Sequence, residues 1–279
     1  MKKKEEITDR REHRNDDFDS DPSVMREHIT VFRDGHTEIR REHVLTEYSL
    51  EISAGERMTM QVICTPEYLE ELVLGRLLTA GIIKEADDVK NMEIPGIKGG
   101  AAGKARVILR HDAPAGSGAA DILQSVTPVL WKTEWIFALA DRFHQGMPLH
   151  DRTWGTHSCF LSSGGRLLFQ CEDIGRHNAV DKAVGFSLKT GIDLSSCILY
   201  SSGRIPSDMA VKAIRAGIPV LAAKAVPTLK AIRLAEKYGL TLIGSARSDS
   251  MKVYTDGRKK ILSDEAGTHP DLHFLTKKS

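Results

Sequence analysis

Between Cys197 and Ile243 three short apolar runs, Cys197 to Tyr200, Pro219 to Ala222 and Thr241 to Ile243, alternate with two helical patterns, Ser207 to Ala216 and Thr228 to Tyr238. Strands separated by one helix each are joined by crossovers rather than hairpins. That makes them parallel and right-handed, and commits this half of the chain to an α/β sheet. Each helical pattern ends at a residue suited to a helix C-terminus, Gly217 and Gly239. In such a sheet ligands bind outside the carboxyl ends of the strands. Three loops are therefore expected at one edge: Ser201-Ser202-Gly203-Arg204, Lys224-Ala225-Val226-Pro227-Thr228, and Gly244 followed by Ser245, Ala246, Arg247, Ser248, Asp249 and Ser250. Hydroxyls, glycines, helix starts and a basic residue in each loop suit a phosphate or another oxyanion.

The segment Cys171 to Gly185, CEDIGRHNAVDKAVG, reads as a second polar site. A helix starting near Gly175 places Arg176, His177 and Asn178 in its first turn, where free backbone amides and the helix dipole already favour an anion. Two basic groups there oppose the dipole unless an anion is bound. Val180, Ala183, Val184 and Leu188 recur at helical spacing and face a core. The structural alternative makes Glu172 and Asp173 capping groups and leaves Asp181 or Lys182 in solvent.

Upstream, HVLTEYSLEI and ERMTMQVIC flank the turn signal Ser53-Ala54-Gly55 and predict a hairpin. Thr65 reads as an N-cap with Pro66 at the first helical position, ahead of a helix burying Leu69, Leu72, Val73, Leu77 and Leu78. Further strands are expected near Val89 to Ile94 and Ala105 to Leu109, and a helical region from Ile122 to Phe143 carrying Trp131, Trp135 and Phe137 as packing residues. Ser162-Ser163-Gly164-Gly165 marks a second hairpin, between Thr156 to Leu161 and Leu167 to Cys171. The expected organisation is a loosely attached charged tail over 1–25, a smaller α+β lobe over 26–145 with a mobile loop at 112–120, and an α/β domain over 146–279.

At 279 residues, 41% hydrophobic, the chain can bury a sizeable core. The absence of a membrane-length apolar run or a signal-like N-terminus predicts a cytoplasmic protein. A net charge of +1 argues against wholesale nucleic-acid binding while allowing a local basic pocket. The four cysteines, Cys64, Cys159, Cys171 and Cys197, contain no CxxC pair, so neither a disulfide framework nor a structural metal site is expected. Cys159 lies two residues after His157, on the same face of a predicted strand, which makes it the best candidate thiol nucleophile. A zinc deaminase reading fails on the motif: His157-Ser158-Cys159 lacks the Glu of H-x-E and no PCxxC follows.

Together CTPEYLEELVLGRLLTAGII, GTHSCFLSSGGRLLFQCEDIGRHNAVDKAVG, the stretch from SSGRIPSD to KYGLTLIG, and ARSDSMKVYT resemble the FdhD/NarQ family of formate dehydrogenase accessory sulfurtransferases. The resemblance implies a cytidine-deaminase-like mixed sheet with helices on both faces, plus a smaller N-terminal lobe. It implies a sulfur carrier that takes persulfide sulfur from a cysteine desulfurase and passes it to molybdenum (or tungsten) bis-molybdopterin guanine dinucleotide before insertion into formate dehydrogenase. It also implies a homodimer. The family's cofactor-binding segment matches Ser245 to Ser250 here, with Arg204, Lys224, Thr228 and Arg247 expected to hold the cofactor; from its place in the polar cluster alone, His177 is expected to orient or protonate a bound phosphate or dithiolene group. This chain departs from the pattern at the persulfide-forming CGxCG loop, replaced by Ala113 to Ala120 without a cysteine. Ala80, Ser245 and Lys252 are smaller departures. Either another thiol such as Cys159 carries the sulfur, or the chain binds the cofactor without carrying sulfur.

Overall fold

The computed structural model describes residues 21–55, 58–94, 96, 102–111 and 123–258. The tail expected over 1–20 and the loop expected at 112–120 lie outside the described residues. The remainder of the expected tail is ordered. Asp21 accepts a hydrogen bond from the Ser23 amide at 2.9 Å, and β1 (Val24–Arg33) begins at once, paired in antiparallel register with β2 (His36–Leu45). Asp34 and Gly35 turn this ribbon with φ of 50° and 77°, as a two-residue Asp-Gly hairpin turn requires. Sequence reading did not identify the ribbon because its strands are mostly polar and largely exposed on both faces.

The hairpin predicted around Ser53 to Gly55 is β3 (Tyr48–Ala54) with β4 (Met58–Cys64). Strict alternation in β3 buries Tyr48, Leu50, Ile52 and Ala54. The helix that follows, α1, covers Leu69–Thr79, and its predicted apolar face is buried. It starts later than Thr65 suggests, after Tyr68 in the left-handed region at φ 53°. Thr65 is not its cap; the hydroxyl is drawn instead into a buried network described below. β5 (Val89–Glu93) and β6 (Ala102–Leu109) complete a four-stranded sheet of order β4-β3-β6-β5. Only part of the helical region expected from Ile122 is helical. Residues 123–132 are irregular, and α2 covers Thr133–His144, followed by the short α3 (Pro148–Thr153).

The C-terminal half forms a six-stranded sheet of order β12-β11-β10-β9-β7-β8. β7 (His157–Ser163) and β8 (Arg166–Asp173) form the Gly164-Gly165 hairpin, and α4 covers Arg176–Thr190. β9 (Cys197–Ser201), α5 (Ser207–Arg215), β10 (Val220–Ala223), α6 (Leu229–Tyr238) and β11 (Thr241–Gly244) follow, the three strands pairing in parallel as the alternation predicts. β12 (Lys252–Thr255) closes the edge antiparallel to β11.

Strand periodicity sorts the two faces of this sheet. Phe160, Ile198, Tyr200, Val220, Ala222 and Ile243 pack with α2 residues Ile136, Leu139, Ala140 and Phe143. Their neighbours one position along, including Cys159, Leu161, Cys197, Leu199, Leu221 and Leu242, join the core formed by α1, α4, α5, α6 and the four-stranded sheet. Helices thus cover both faces of a mixed α/β sheet.

The two sheets are tied together through α1 and α4, which meet backbone to backbone. A Cβ added at Gly75 would fall 1.8 Å from the Asp181 carbonyl oxygen, and one at Gly185 would fall 1.8 Å from that of Glu71. Two buried polar clusters flank this crossing. The ammonium of Lys182, 0% exposed, sits 2.7 Å from Asp173 Oδ2 and donates to Thr65 Oγ1 at 2.8 Å and to the Glu172 carbonyl at 3.1 Å. At the preceding residue of α4, Lys212 Nζ contacts Asp181 Oδ1 and Oδ2 at 2.5 and 2.6 Å, and Thr79 Oγ1 donates to Asp181 Oδ1 at 2.7 Å. Asp181 and Lys182 therefore face the interior, not solvent. Buried charges persist only when paired and hydrogen-bonded in this way.

Candidate functional site

β9, β10 and β11 run parallel, so the segments that follow them leave at the same edge. Backbone hydrogen bonds join those segments side by side. Lys224 N donates to Ser201 O at 2.9 Å, Ile205 N to Val226 O at 3.1 Å, Thr228 N to Ile205 O at 3.0 Å, and Ser245 N to Ala225 O at 2.9 Å. Ala246 N reaches Ala223 O at 3.0 Å, and Arg247 Nη1 donates to Lys224 O and Ala246 O, at 2.5 and 3.0 Å. The three loops that the sequence suggests as one cradle are thus contiguous. Gly244 is needed for this closeness, because a Cβ there would fall 2.8 Å from Pro227 Cδ.

The polar segment after Cys171 arrives at the same edge. β8 pairs with β7 so that Asp173 lies opposite His157, and β7 pairs with β9 so that Cys159 lies opposite Ser201. The end of β8, the start of β7 and the end of β9 are therefore neighbours. Arg176 lies across Gly203, where an added Cβ would meet its Cδ at 2.8 Å. Ser158 N donates to Ser202 Oγ at 2.9 Å, and Ser202 Oγ is 3.4 Å from His157 Nδ1. His177 Nε2 is 2.9 Å from Asp208 Oδ2 in the first turn of α5, an ion-pair contact rather than an aligned hydrogen bond.

Cations dominate here. Burial, and then the neighbouring Arg176 and His150, pull the His157 pKa down. Burial also lowers His177, against the attraction of Asp208. Lys224 is lowered by burial and by Arg247, and its ammonium sits 4.4 Å from the centre of the Phe143 ring on α2. Arg176 Nε is buried without a hydrogen-bond partner, and so is Ser158 Oγ. Imidazoles whose protonation burial disfavours, set beside the Arg176 guanidinium, form an environment whose positive charge an oxyanion would offset.

The candidate residues differ in what they present. Arg204, Thr228, Ser248, Asp249 and Ser250 are exposed, whereas Ser202, Lys224, Ser245 and Arg247 are half-buried. Thr228 caps α6 by accepting from Ala231 N at 3.3 Å. Asn178 is committed elsewhere: it is buried and donates to Ile63 O and Asp173 Oδ1 at 2.6 and 2.8 Å. Ala246 is fully buried and its carbonyl accepts from Tyr200 and Arg247, which leaves it a supporting role. Glu172 does act as a cap, but of α3, accepting from the Leu149 and His150 amides at 2.8 and 2.7 Å. Asp173 does not cap α4; its Oδ1 accepts from Gly175 N at 2.8 Å, ahead of the helix, whose N-cap Gly175 has no side-chain cap.

The candidate thiol does not meet the requirement for an accessible, low-pKa nucleophile. Cys159 is 0% exposed, and burial, aided by the nearby Cys171, drives its pKa well up. The other three are also buried; Cys64 and Cys171 are pushed up to about 12 and Cys197 to about 11, each mainly by desolvation. Same-face placement with His157 holds for a strand, but that face is the core at Cys159. Sequence reading missed two participants: His157 as a member of the loop edge in its own right, and Asp208 as the partner of His177. The signal for Asp208 was present in Pro206-Ser207-Asp208, an acidic residue in the first turn of a helix.

Comparison with known proteins identifies the family and the fold. Residues 45–261 match the model of the FdhD/NarQ family. Sulfur carrier protein FdhD of Listeria monocytogenes is 29% identical over 253 residues, covering 83% of this chain and 97% of the relative. That of Geobacillus kaustophilus is 28% identical over 263 residues, covering 86% and 98%. A crystal structure from Desulfotalea psychrophila, assigned by name as a formate dehydrogenase accessory protein, superposes with a TM-score of 0.69 at 28% identity, covering 85% of this chain and 99% of that one. With residues 45–261 matching the family model, and with the EDIGRHNAVDK helix start and the three-loop edge within that span, this chain belongs to the FdhD/NarQ family.

Proposed function

We propose that this chain serves formate dehydrogenase maturation at the step in which sulfur from a cysteine desulfurase reaches molybdenum (or tungsten) bis-molybdopterin guanine dinucleotide, before that cofactor enters formate dehydrogenase. Its own part is to hold the cofactor's guanine dinucleotide at the loop edge. The observation that carries this reading is the convergence of the loops after β9, β10 and β11 with the start of α4 at one cationic edge. Arg176, Arg204, Lys224 and Arg247 neutralise phosphate charge there, while the amides at the starts of α4, α5 and α6 add donors. Ser202, Gly203, Thr228 and the segment Ser245 to Ser250 shape the cradle. His177, held by Asp208, moves a proton to or from a phosphate or dithiolene group. The working protein is a cytoplasmic homodimer, and among the described residues no helix is long and apolar enough to cross a membrane.

A second reading places the travelling sulfur on this chain itself, and the name of its relatives, sulfur carrier, favours it. The burial of all four cysteines favours the first. Intact-protein mass after incubation with a cysteine desulfurase and cysteine, with GDP present, separates them. Holding without carrying predicts an unchanged mass alongside saturable GDP binding. A gain of one or more sulfur atoms that disappears in Cys159→Ala establishes a carrier thiol. Loss of GDP binding in the parent protein removes the first reading.

A further inference from the structure

A second basic region borders the loop edge without sharing its loop residues. A cavity of about 500 Å³ runs between the end of α1, the length of α5 and the start of α6. Arg76, Lys212, Arg215 and Lys230 line it, with Asp208 as its one carboxylate. None of the residues from the loops at 201–204, 224–228 or 244–250 takes part.

The charges in this cavity are unevenly compensated. Buried Asp181 lies behind the wall and neutralises Lys212 at 2.5 Å, with Arg76 Nη1 3.6 Å from the same carboxylate. One carboxylate thus serves two cations. Arg215 Nη1 donates at 2.8 Å to the carbonyl of Thr79, near the C-terminus of α1, and among the described residues no carboxylate lies within ion-pair distance of Arg215 or Lys230. Asp208 points its carboxylate to His177 instead. The Nε atoms of Arg76 and Arg215 have no hydrogen-bond acceptor among the described residues. With Arg215 and Lys230 lacking a carboxylate among the described residues and Arg76 sharing Asp181 with Lys212, the lining carries more positive charge than the protein itself offsets, which favours an external anion. Val211 and Leu234 supply an apolar wall beside them.

We infer that this cavity binds a phosphate-bearing small molecule of nucleotide size. Arg76, Arg215 and Lys230 would take the phosphates, and the Val211 and Leu234 wall the less polar remainder. A volume of about 500 Å³ suits a nucleoside diphosphate better than a bare inorganic ion. The site is independent of the loop edge. It also adjoins it, because Asp208 borders the cavity and holds His177.

Titration of the full-length protein with ADP, GDP and inorganic pyrophosphate by calorimetry tests the inference, using Lys230→Gln for the cavity and a double Arg204→Gln, Lys224→Gln variant for the loop edge. Lys230 is exposed, so its replacement leaves the fold intact. Arg215→Lys, which keeps the charge and removes the guanidinium fork, is the second cavity variant. The expected result is a diphosphate-binding event that survives in the loop-edge variant and weakens about tenfold in Lys230→Gln, as loss of one charge-assisted contact predicts. Weaker binding in Arg215→Lys with unchanged melting supports the same site. Binding by both cavity variants equal to the parent overturns the inference. So does loss of every diphosphate-binding event in the loop-edge variant, which leaves the proposed cofactor role standing. Loss in the cavity variants alone supports the cavity and counts against the loop edge. Tighter binding of pyrophosphate than of either nucleotide assigns the cavity to an inorganic anion and overturns the nucleotide-sized ligand.

Discussion

The α1/α4 crossing is the most sensitive point of the scaffold, and Gly185→Ala probes it directly. An alanine methyl at this position would lie 1.8 Å from the Glu71 carbonyl oxygen, 2.6 Å from its carbon and 2.8 Å from Gly75 N, where ordinary contact begins at 3.4 Å. All three neighbours are backbone atoms, so no side chain can swing aside. The helices must separate by about 1.5 Å, and a radial gap of ~1 Å already forfeits up to about half of the dispersion energy across a packed surface. The apolar partners that lose contact include Leu72, Val73 and Leu77 of α1 and Val180, Ala183 and Val184 of α4. We expect a loss of about 3 kcal/mol or more, the upper range for overpacking, because both buried ion clusters stretch as well. For a chain of this size that corresponds to a fall in Tm of roughly 6–12 °C. Circular dichroism melts of Gly185→Ala against Lys189→Ala provide the comparison. Lys189 pairs with the exposed Glu70 and with the largely buried Glu71, and its removal costs about 1 kcal/mol. A Gly185→Ala protein melting within about 2 °C of the parent refutes backbone contact at the crossing.

Other expectations follow from the buried charges and thiols. Asp181→Asn leaves Lys212 and Arg76 facing a neutral amide inside the protein and should destabilise by about 3–5 kcal/mol; chemical denaturation that moves by less than 1 kcal/mol contradicts the role given to this carboxylate. All four cysteines should resist Ellman's reagent in the native protein at pH 8 and react once it is unfolded; a fast native thiol would revive the carrier reading. The folded pKa values of His157 and His177 lie below the ordinary 6.5, so the unfolded chain takes up protons first as the pH drops. Their contribution to stability is therefore present above pH 6.5 and is lost as the pH falls from there through the folded values. A bound anion favours the protonated imidazoles, so GDP affinity should rise between pH 7.5 and 6 with proton uptake. An affinity that is flat across that interval argues against imidazoles at the anion site.

The C-terminal half was legible because its signals are local and redundant. Apolar runs at Cys197, Pro219 and Thr241, with Gly217 and Gly239 closing the helices between them, leave little choice of topology. The start of α4 at Arg176 and the glycine hairpin before β8 were equally plain. Long-range pairing was not legible. Thr65 has the local chemistry of a cap, yet its hydroxyl and amide serve Asp173 and Lys182 more than a hundred residues away. Lys182 and Asp181 resemble solvated helix charges until their partners from other elements are placed. The β1-β2 ribbon escaped notice because its strands carry little apolar alternation; the Asp34-Gly35 turn was its one strong signal. Cys159 shows the limit of same-face arguments. Strand parity placed it with His157 correctly, while only the packing of α4 on that face revealed that it is sealed from solvent.

Hydrogen exchange read by mass spectrometry, with and without GDP, tests the central claim most directly. Binding at the loop edge predicts slower exchange in peptides covering 174–178, 201–206, 224–228 and 244–250 and unchanged exchange in the β1-β2 ribbon. GDP binding that leaves all four of those segments unprotected would contradict the cofactor-holding role.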